Sequence, residues 1–152
     1  MNTILIVEDD KNLQYTLTQI LQESGYRIIS TIWGSMALEE VKKGSPDLVL
    51  LDIMLPGMNG MEVLERMKDM DKHIPVIMIT GYGSAESAVK AIELGAYDYI
   101  TKPFDYEKLT QKISKALSSR NRKKKSAFLK HMRRISLDLK EYQKNILDKL
   151  KS

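Results

Sequence analysis

Asp52 closes an unbroken apolar run, Leu48-Val49-Leu50-Leu51, and is followed by the turn formers Pro56, Gly57 and Gly60. Such a run, bounded by turn formers, reads as a strand buried on both faces of a parallel sheet. A carboxylate at its C-terminal end stands where open α/β sheets bind ligands. The pattern occurs once more, because Ile4-Leu5-Ile6-Val7 runs directly into Glu8-Asp9-Asp10. Carboxylates crowded at one edge repel each other and have raised pKa values unless a cation neutralises them. Oxygen ligands of this kind suit Mg²⁺, which takes one or two carboxylates and keeps several waters. A carboxylate can also act as a nucleophile, as in aspartyl-phosphate chemistry. Phosphoryl transfer then needs the metal, a further cation and a hydroxyl or backbone donor around the transferring oxygens. Thr80 and Lys102, at the ends of two later strand-like segments, can supply the last two.

These residues must be held by regular elements, and strand and helix signals alternate five times. Strands are predicted over Thr3–Val7, 26–32, 48–51, 75–80 and 97–101, where β-branched and apolar residues cluster. Between them run amphipathic helices over 12–23 (Leu13, Leu17, Ile20, Leu21), 35–43 (Met36, Leu38, Val41), 60–70 (Met61, Val63, Leu64, Met67) and 85–94. In the fourth helix Ser84 is the expected N-cap, with Ser87, Ala88, Ala91 and Ile92 on the inner side. Asp105 can cap a fifth helix, through about Ser119, with Leu109, Ile113 and Leu117 at helical spacing. Five βα units with short loops imply a three-layer α/β fold with right-handed connections. The doubly wound parallel order 2-1-3-4-5 puts its switch point between strands 1 and 3, so Glu8 and Asp9 fall beside Asp52.

Composition narrows the function classes. The chain has 152 residues, 43% hydrophobic and 29% charged, as expected for one globular domain with an appendage. It has no cysteine, which removes disulfides, thiolate nucleophiles and cysteine-based zinc sites. No apolar stretch approaches a membrane span, and the N-terminus lacks a signal-peptide pattern, so a cytoplasmic protein is expected. The net charge of +4 is unevenly distributed. Residues 1–119 carry 12 Lys+Arg against 17 Asp+Glu, a net of −5, whereas 120–152 carry 12 against 3, a net of +9. The organisation expected is a domain over 1–119, a basic linker over 120–126 and an amphipathic C-terminal helix over 127–152. In that helix Phe128, Met132, Ile135, Leu139, Tyr142 and Ile146 step by 4, 3, 4, 3 and 4, the seam of a coiled coil or docking helix. His73 and His131 read as solvated, and Trp33 as packing at a strand end.

The runs ILIVEDD, LVLLDIMLPGMNG, VIMITGYGS and GAYDYITKPF resemble the receiver domain of bacterial two-component response regulators over roughly residues 2–119. The resemblance implies the flavodoxin-like or CheY-like fold and a Mg²⁺ cofactor. It implies that Asp52 accepts a phosphoryl group from a phosphohistidine on a sensor histidine kinase. Asp9, Asp52 and the Met54 backbone carbonyl would bind the metal directly, with Glu8 acting through water. Lys102 would pair with the phosphoryl oxygens, Thr80 would hydrogen-bond one of them, and Tyr99 matches the family's aromatic switch. Signalling would pass through the face of the fourth helix, fifth strand and fifth helix, about 84–119. The GYGS after Thr80 is especially similar to receivers of AAA+ transcription activators of the nitrogen-regulation class. Glu8 stands where Asp is commoner. No ATPase loop motif occurs, and the 33 trailing residues could not hold that domain.

A phosphatase of the haloacid-dehalogenase type needs a second acid two residues after the first, where Met54 stands. A flavodoxin-type cofactor binder needs a phosphate-cradling loop where this chain has Glu8-Asp9-Asp10. A phosphorylation-independent interaction module and an N-terminal regulatory fragment of a larger transcription activator are the alternatives. For partners, the expectation is the kinase as phosphodonor and a homodimer through the C-terminal helix or the signalling face. One basic helix cannot build a helix-turn-helix, so sequence-specific nucleic-acid reading is not expected.

Overall fold

The structure is a computed structural model, and it describes residues 1–81 and 85–151. Five parallel strands form one sheet: β1 (Thr3–Val7), β2 (Arg27–Thr31), β3 (Leu48–Asp52), β4 (Val76–Thr80) and β5 (Asp98–Thr101). Their order is β2-β1-β3-β4-β5, the doubly wound arrangement predicted from the alternation. The intervening helices are α1 (Lys11–Glu23), α2 (Gly34–Lys42), α3 (Gly60–Met70) and α4 (Ala85–Glu93), and α5 (Tyr106–Lys151) closes the chain.

The burial pattern explains the order. Every residue of β1, β3 and β4 is buried, while β2 and β5 are half-exposed edges. Continuous apolar runs belong in the centre of a parallel sheet because helices cover both faces. Side chains alternate between those faces with period two. Leu5, Val7, Val49, Leu51, Val76 and Met78 pack with Ala37, Val63, Leu64, Met67 and Ala91 from α2, α3 and α4. Ile4, Ile6, Leu48, Leu50, Ile77 and Ile79 pack with Leu17 and Leu21 of α1 and Leu109 and Ile113 of α5. The parallel register sets Val7 beside Leu51 and Asp52 beside Ile79, so the C-terminal ends of β1, β3 and β4 form one edge.

Helix caps follow the sequence signals. Asp10 accepts from the Asn12 and Leu13 N–H groups at the start of α1, and Asn59 accepts from Met61 at the start of α3. Asp105 accepts from the Glu107 N–H. The expected Ser84 cap lies outside the described residues. Gly25 and Gly44 have φ of 94° and 73°, the left-handed geometry that ends α1 and α2.

Three local expectations are corrected. Met36 is exposed, and Ala37 takes the inward position, because α2 begins at Gly34 and its inner stripe runs through Ala37, Leu38 and Val41. Ile92 is half-exposed, leaving Ala91 as the buried residue of α4. Trp33 lies just past the end of β2, half-exposed at the N-cap position of α2. The helix expected to stop near Ser119 continues, so the stretch 120–126 expected as a basic linker is itself helical. No glycine or proline follows Pro103, so nothing in the sequence stops the helix. The chain nevertheless divides into two compact units, Met1–Ser118 and the residues from Ser119 onward. Among the described residues no helix is long and apolar enough to cross a membrane.

Candidate functional site

Glu8 and Asp9 follow the last residue of β1, Asp52 is the last residue of β3, and Thr80 ends β4. Lys102 follows β5, and its backbone N–H donates to the Thr80 carbonyl at 2.7 Å. One carboxylate oxygen each from Glu8, Asp9 and Asp52 lies within 4.8 Å of the other two. Glu8 is 2% exposed and Asp52 4%, whereas Asp9 is exposed at the mouth of the cluster. Lys102 Nζ donates to Glu8 Oε1 at 2.7 Å and to Asp52 Oδ2 at 2.9 Å. The Met54 N–H donates to Asp52 Oδ1 at 3.0 Å, so both carboxylate oxygens are held. Asp9 and Met54 share the lining of the cleft beside Asp52, with Ile53 and the 55–59 loop. Asp10 is turned away from this cluster into its helix cap.

Electrostatics follows from burial. Taking Glu8 out of water raises its pKa to about 8, with the adjoining Asp52 carboxyl adding to the rise and Lys102 opposing it. Burial by itself would lower the Lys102 pKa, but hydrogen bonds and attraction to Glu8 and Asp52 outweigh it, and the ammonium is held above its ordinary value. Three carboxylates against one ammonium leave an excess of negative charge that a proton on Glu8 lessens but does not cancel. That donor set fits a hard divalent cation such as Mg²⁺, which would displace that proton.

Thr80 is fully buried. Its side chain hydrogen-bonds the phenol of Tyr99, a half-buried residue of β5 whose pKa burial raises while the Thr80 bond opposes the rise. Tyr99 packs against the core cluster on the α2, α3 and α4 face. The structure therefore places the two expected switch residues in contact.

Two contributors escaped the sequence reading. Gln14 of α1 donates from Nε2 to the carbonyls of Glu8 and Thr31, each at 3.2 Å, tying the ends of β1 and β2 together behind Glu8. A glutamine on a helix carries no signal of this before its position is known. Gly60, a turn former by residue type, serves a close approach of two backbone segments. A Cβ there would collide with the Asp52 carbonyl oxygen and lie 2.6 Å from Ile53 Cα, and its N–H donates to the Ile53 carbonyl at 2.7 Å.

Residues 4–114 match the family described as "Response regulator receiver domain". The chain is 40% identical over 114 residues to "Sporulation initiation phosphotransferase F" of Bacillus subtilis, covering 75% of this chain and 92% of that protein. It is 41% identical over 115 residues to "Transcriptional regulatory protein ZraR" of Klebsiella oxytoca, covering 76% of this chain but only 26% of ZraR. Among solved structures, a CheY-like receiver domain protein from Methanospirillum hungatei superposes with a TM-score of 0.77 at 33% identity, covering 81% of this chain and 98% of that one. NtrX from Brucella abortus gives a TM-score of 0.78 at 34% identity, over 84% of this chain and 29% of NtrX.

Proposed function

We propose a phosphoacceptor role at Asp52 for this chain, which belongs to the response regulator receiver family. The observation that carries the reading is the pairing of one buried carboxylate with one ammonium, Asp52 with Lys102 at 2.9 Å, inside a cluster of two further acids. An Asp52 carboxylate oxygen attacks the phosphorus of a phosphohistidine on a sensor histidine kinase. The N–P bond breaks as the new O–P bond forms, and the imidazole leaves. Asp9, Asp52 and the Met54 carbonyl would hold Mg²⁺ directly, with Glu8 acting through water. When bound, the ion supplies charge neutralisation for the transferring oxygens. Lys102 moves from the carboxylates to the phosphoryl oxygens, and the Thr80 hydroxyl donates to one of them.

This reading makes the chain a signalling domain whose own residues assist phosphoryl gain and loss. Turning the Thr80 hydroxyl toward a phosphoryl group ends its bond to Tyr99, so the two side chains form a two-state element biased by charge at Asp52. The face of α4, β5 and the first part of α5 then carries the output, and the protein works in the cytoplasm.

The likeness to ZraR, and a 36% identity to AtoC of Escherichia coli, favour a second reading, a regulatory segment serving a transcription activator. Because the chain spans about a quarter of those proteins, that output is a property to be tested on the gene's full reading frame.

Incubation with acetyl phosphate and Mg²⁺ tests the phosphoacceptor role. The wild-type chain is expected to gain one phosphoryl group by intact mass, and Asp52→Asn none. Undiminished labelling of Asp52→Asn would sink the assignment.

A further inference from the structure

The unit beginning at Ser119 is helical to Lys151, and every described residue from 121 onward is exposed. A lone helix in water gains little from propensity and is stabilised by burying an apolar face. Such a face exists here. Phe128, Met132, Ile135, Leu139, Tyr142 and Ile146 are between 39% and 64% exposed and occupy successive d and a positions of a heptad.

The placement of charge decides what covers it. On one flank of the seam, the e positions hold Leu129, Ser136, Gln143 and Leu150. On the other, the g positions hold His131, Asp138 and Asn145. Neither flank carries a lysine or arginine. From 130 onward the cations Lys130, Arg133, Arg134, Lys140, Lys144 and Lys151 are all at b, c or f, with Lys149 alone closing the seam at d. A helix lying on an anionic membrane needs cations beside its apolar face to meet the headgroups. An acidic partner helix would likewise be met by cations at e and g. Here the flanks are cleared of them. A cleared flank is what allows a helix of net +9 to approach another equally basic one, because the remaining cations are then held well apart and screened over about 8 Å at physiological salt.

We propose that 128–150 pairs with the same segment of a second copy of this chain, as a parallel, in-register coiled coil. Parallel pairing sets Asp138 against Gln143 of the second copy, as g meets e. Antiparallel pairing that matches Phe128 with Ile146 and Met132 with Tyr142 would instead bring the two Asp138 carboxylates together. The seam is about three heptads long, so the association is concentration-dependent rather than permanent.

Sedimentation equilibrium of the full chain across a concentration series tests this. The weight-average mass is expected to rise toward that of a dimer, and to rise further when salt is added, since salt screens the repulsion between two basic helices. Capture of a polyanion or membrane would weaken with salt instead. Leu139→Asp, in the seam, is expected to leave only monomer, whereas Leu137→Asp, on the opposite face and 65% exposed, leaves association unchanged. Lys125→Cys, an a position in a chain without cysteine, is expected to cross-link to itself on oxidation, which antiparallel pairing does not permit. A monomer at all concentrations and salts, equal loss in both Asp variants, or persistence of the dimer in Leu139→Asp would each overturn the pairing. Absence of cross-linking in Lys125→Cys would overturn its parallel sense. Association is read on unphosphorylated protein, so its failure is separate from any failure of the Asp52 assignment.

Discussion

At the scale of single residues, the site is a balance between burial and charge. Asp52 is held by Lys102 and the Met54 N–H, while Glu8 is made a weak acid by its burial beside Asp52. Because the folded protein binds the Glu8 proton more tightly than the unfolded chain does, metal-free stability falls as pH rises from the ordinary carboxyl range through about 8. Glu8→Gln has no such proton to lose. Thermal melts without metal are therefore expected to show the wild type losing more stability than Glu8→Gln between about pH 5 and pH 8. Mg²⁺ affinity of the wild type should rise over the same interval, because binding releases that proton. Parallel melting profiles for the two proteins would contradict the account of Glu8. The acids and Lys102 were legible in the sequence because apolar strands ran straight into them or stopped just short. Gln14 was not, since its two carbonyl partners come from different strands and only the fold brings them together.

At the scale of elements, neighbouring residues divide their roles. Asp10 belongs to α1, capping two N–H groups, whereas Asp9 belongs to the acid cluster. Asp10→Ala is expected to cost about 1 kcal/mol in chemical denaturation and to leave Mg²⁺ affinity nearly unchanged. Gly60→Ala sets a Cβ against the backbone that carries Asp52, so it is expected to cost about 1–3 kcal/mol and to weaken Mg²⁺ binding as well. Equal effects of the two substitutions on metal affinity would contradict this division. Strand identities and order were readable because burial on both faces demands continuous apolar runs such as 4–7 and 48–51. Which of two adjacent residues faces inward was less readable. Met36 and Ile92 are more apolar than Ala37 and Ala91, yet the alanines are the buried ones, since an inward helix position is set by the helix's start and its distance from the sheet. The expected end of α5 failed for a related reason: a run of charges marks a change of environment, and without glycine or proline it does not end a helix.

At the scale of the whole molecule, the chain joins an acidic receiver unit to a basic helical one, and the pI of about 9.1 describes neither. Charge in the first unit converges on the acid cluster around Asp52, the proposed phosphoacceptor site, while charge in the second is arranged to spare an apolar seam. Of the 20 acidic residues, Asp52 alone is proposed to take the covalent step. The direct measurement is to treat the acetyl-phosphate-labelled chain with borohydride, which reduces an acyl phosphate to an alcohol, and to map the product by peptide mass spectrometry. Homoserine at position 52, dependent on Mg²⁺ and found at no other position, is the predicted result. Homoserine at position 9, or labelling that leaves position 52 unmodified, would contradict the account.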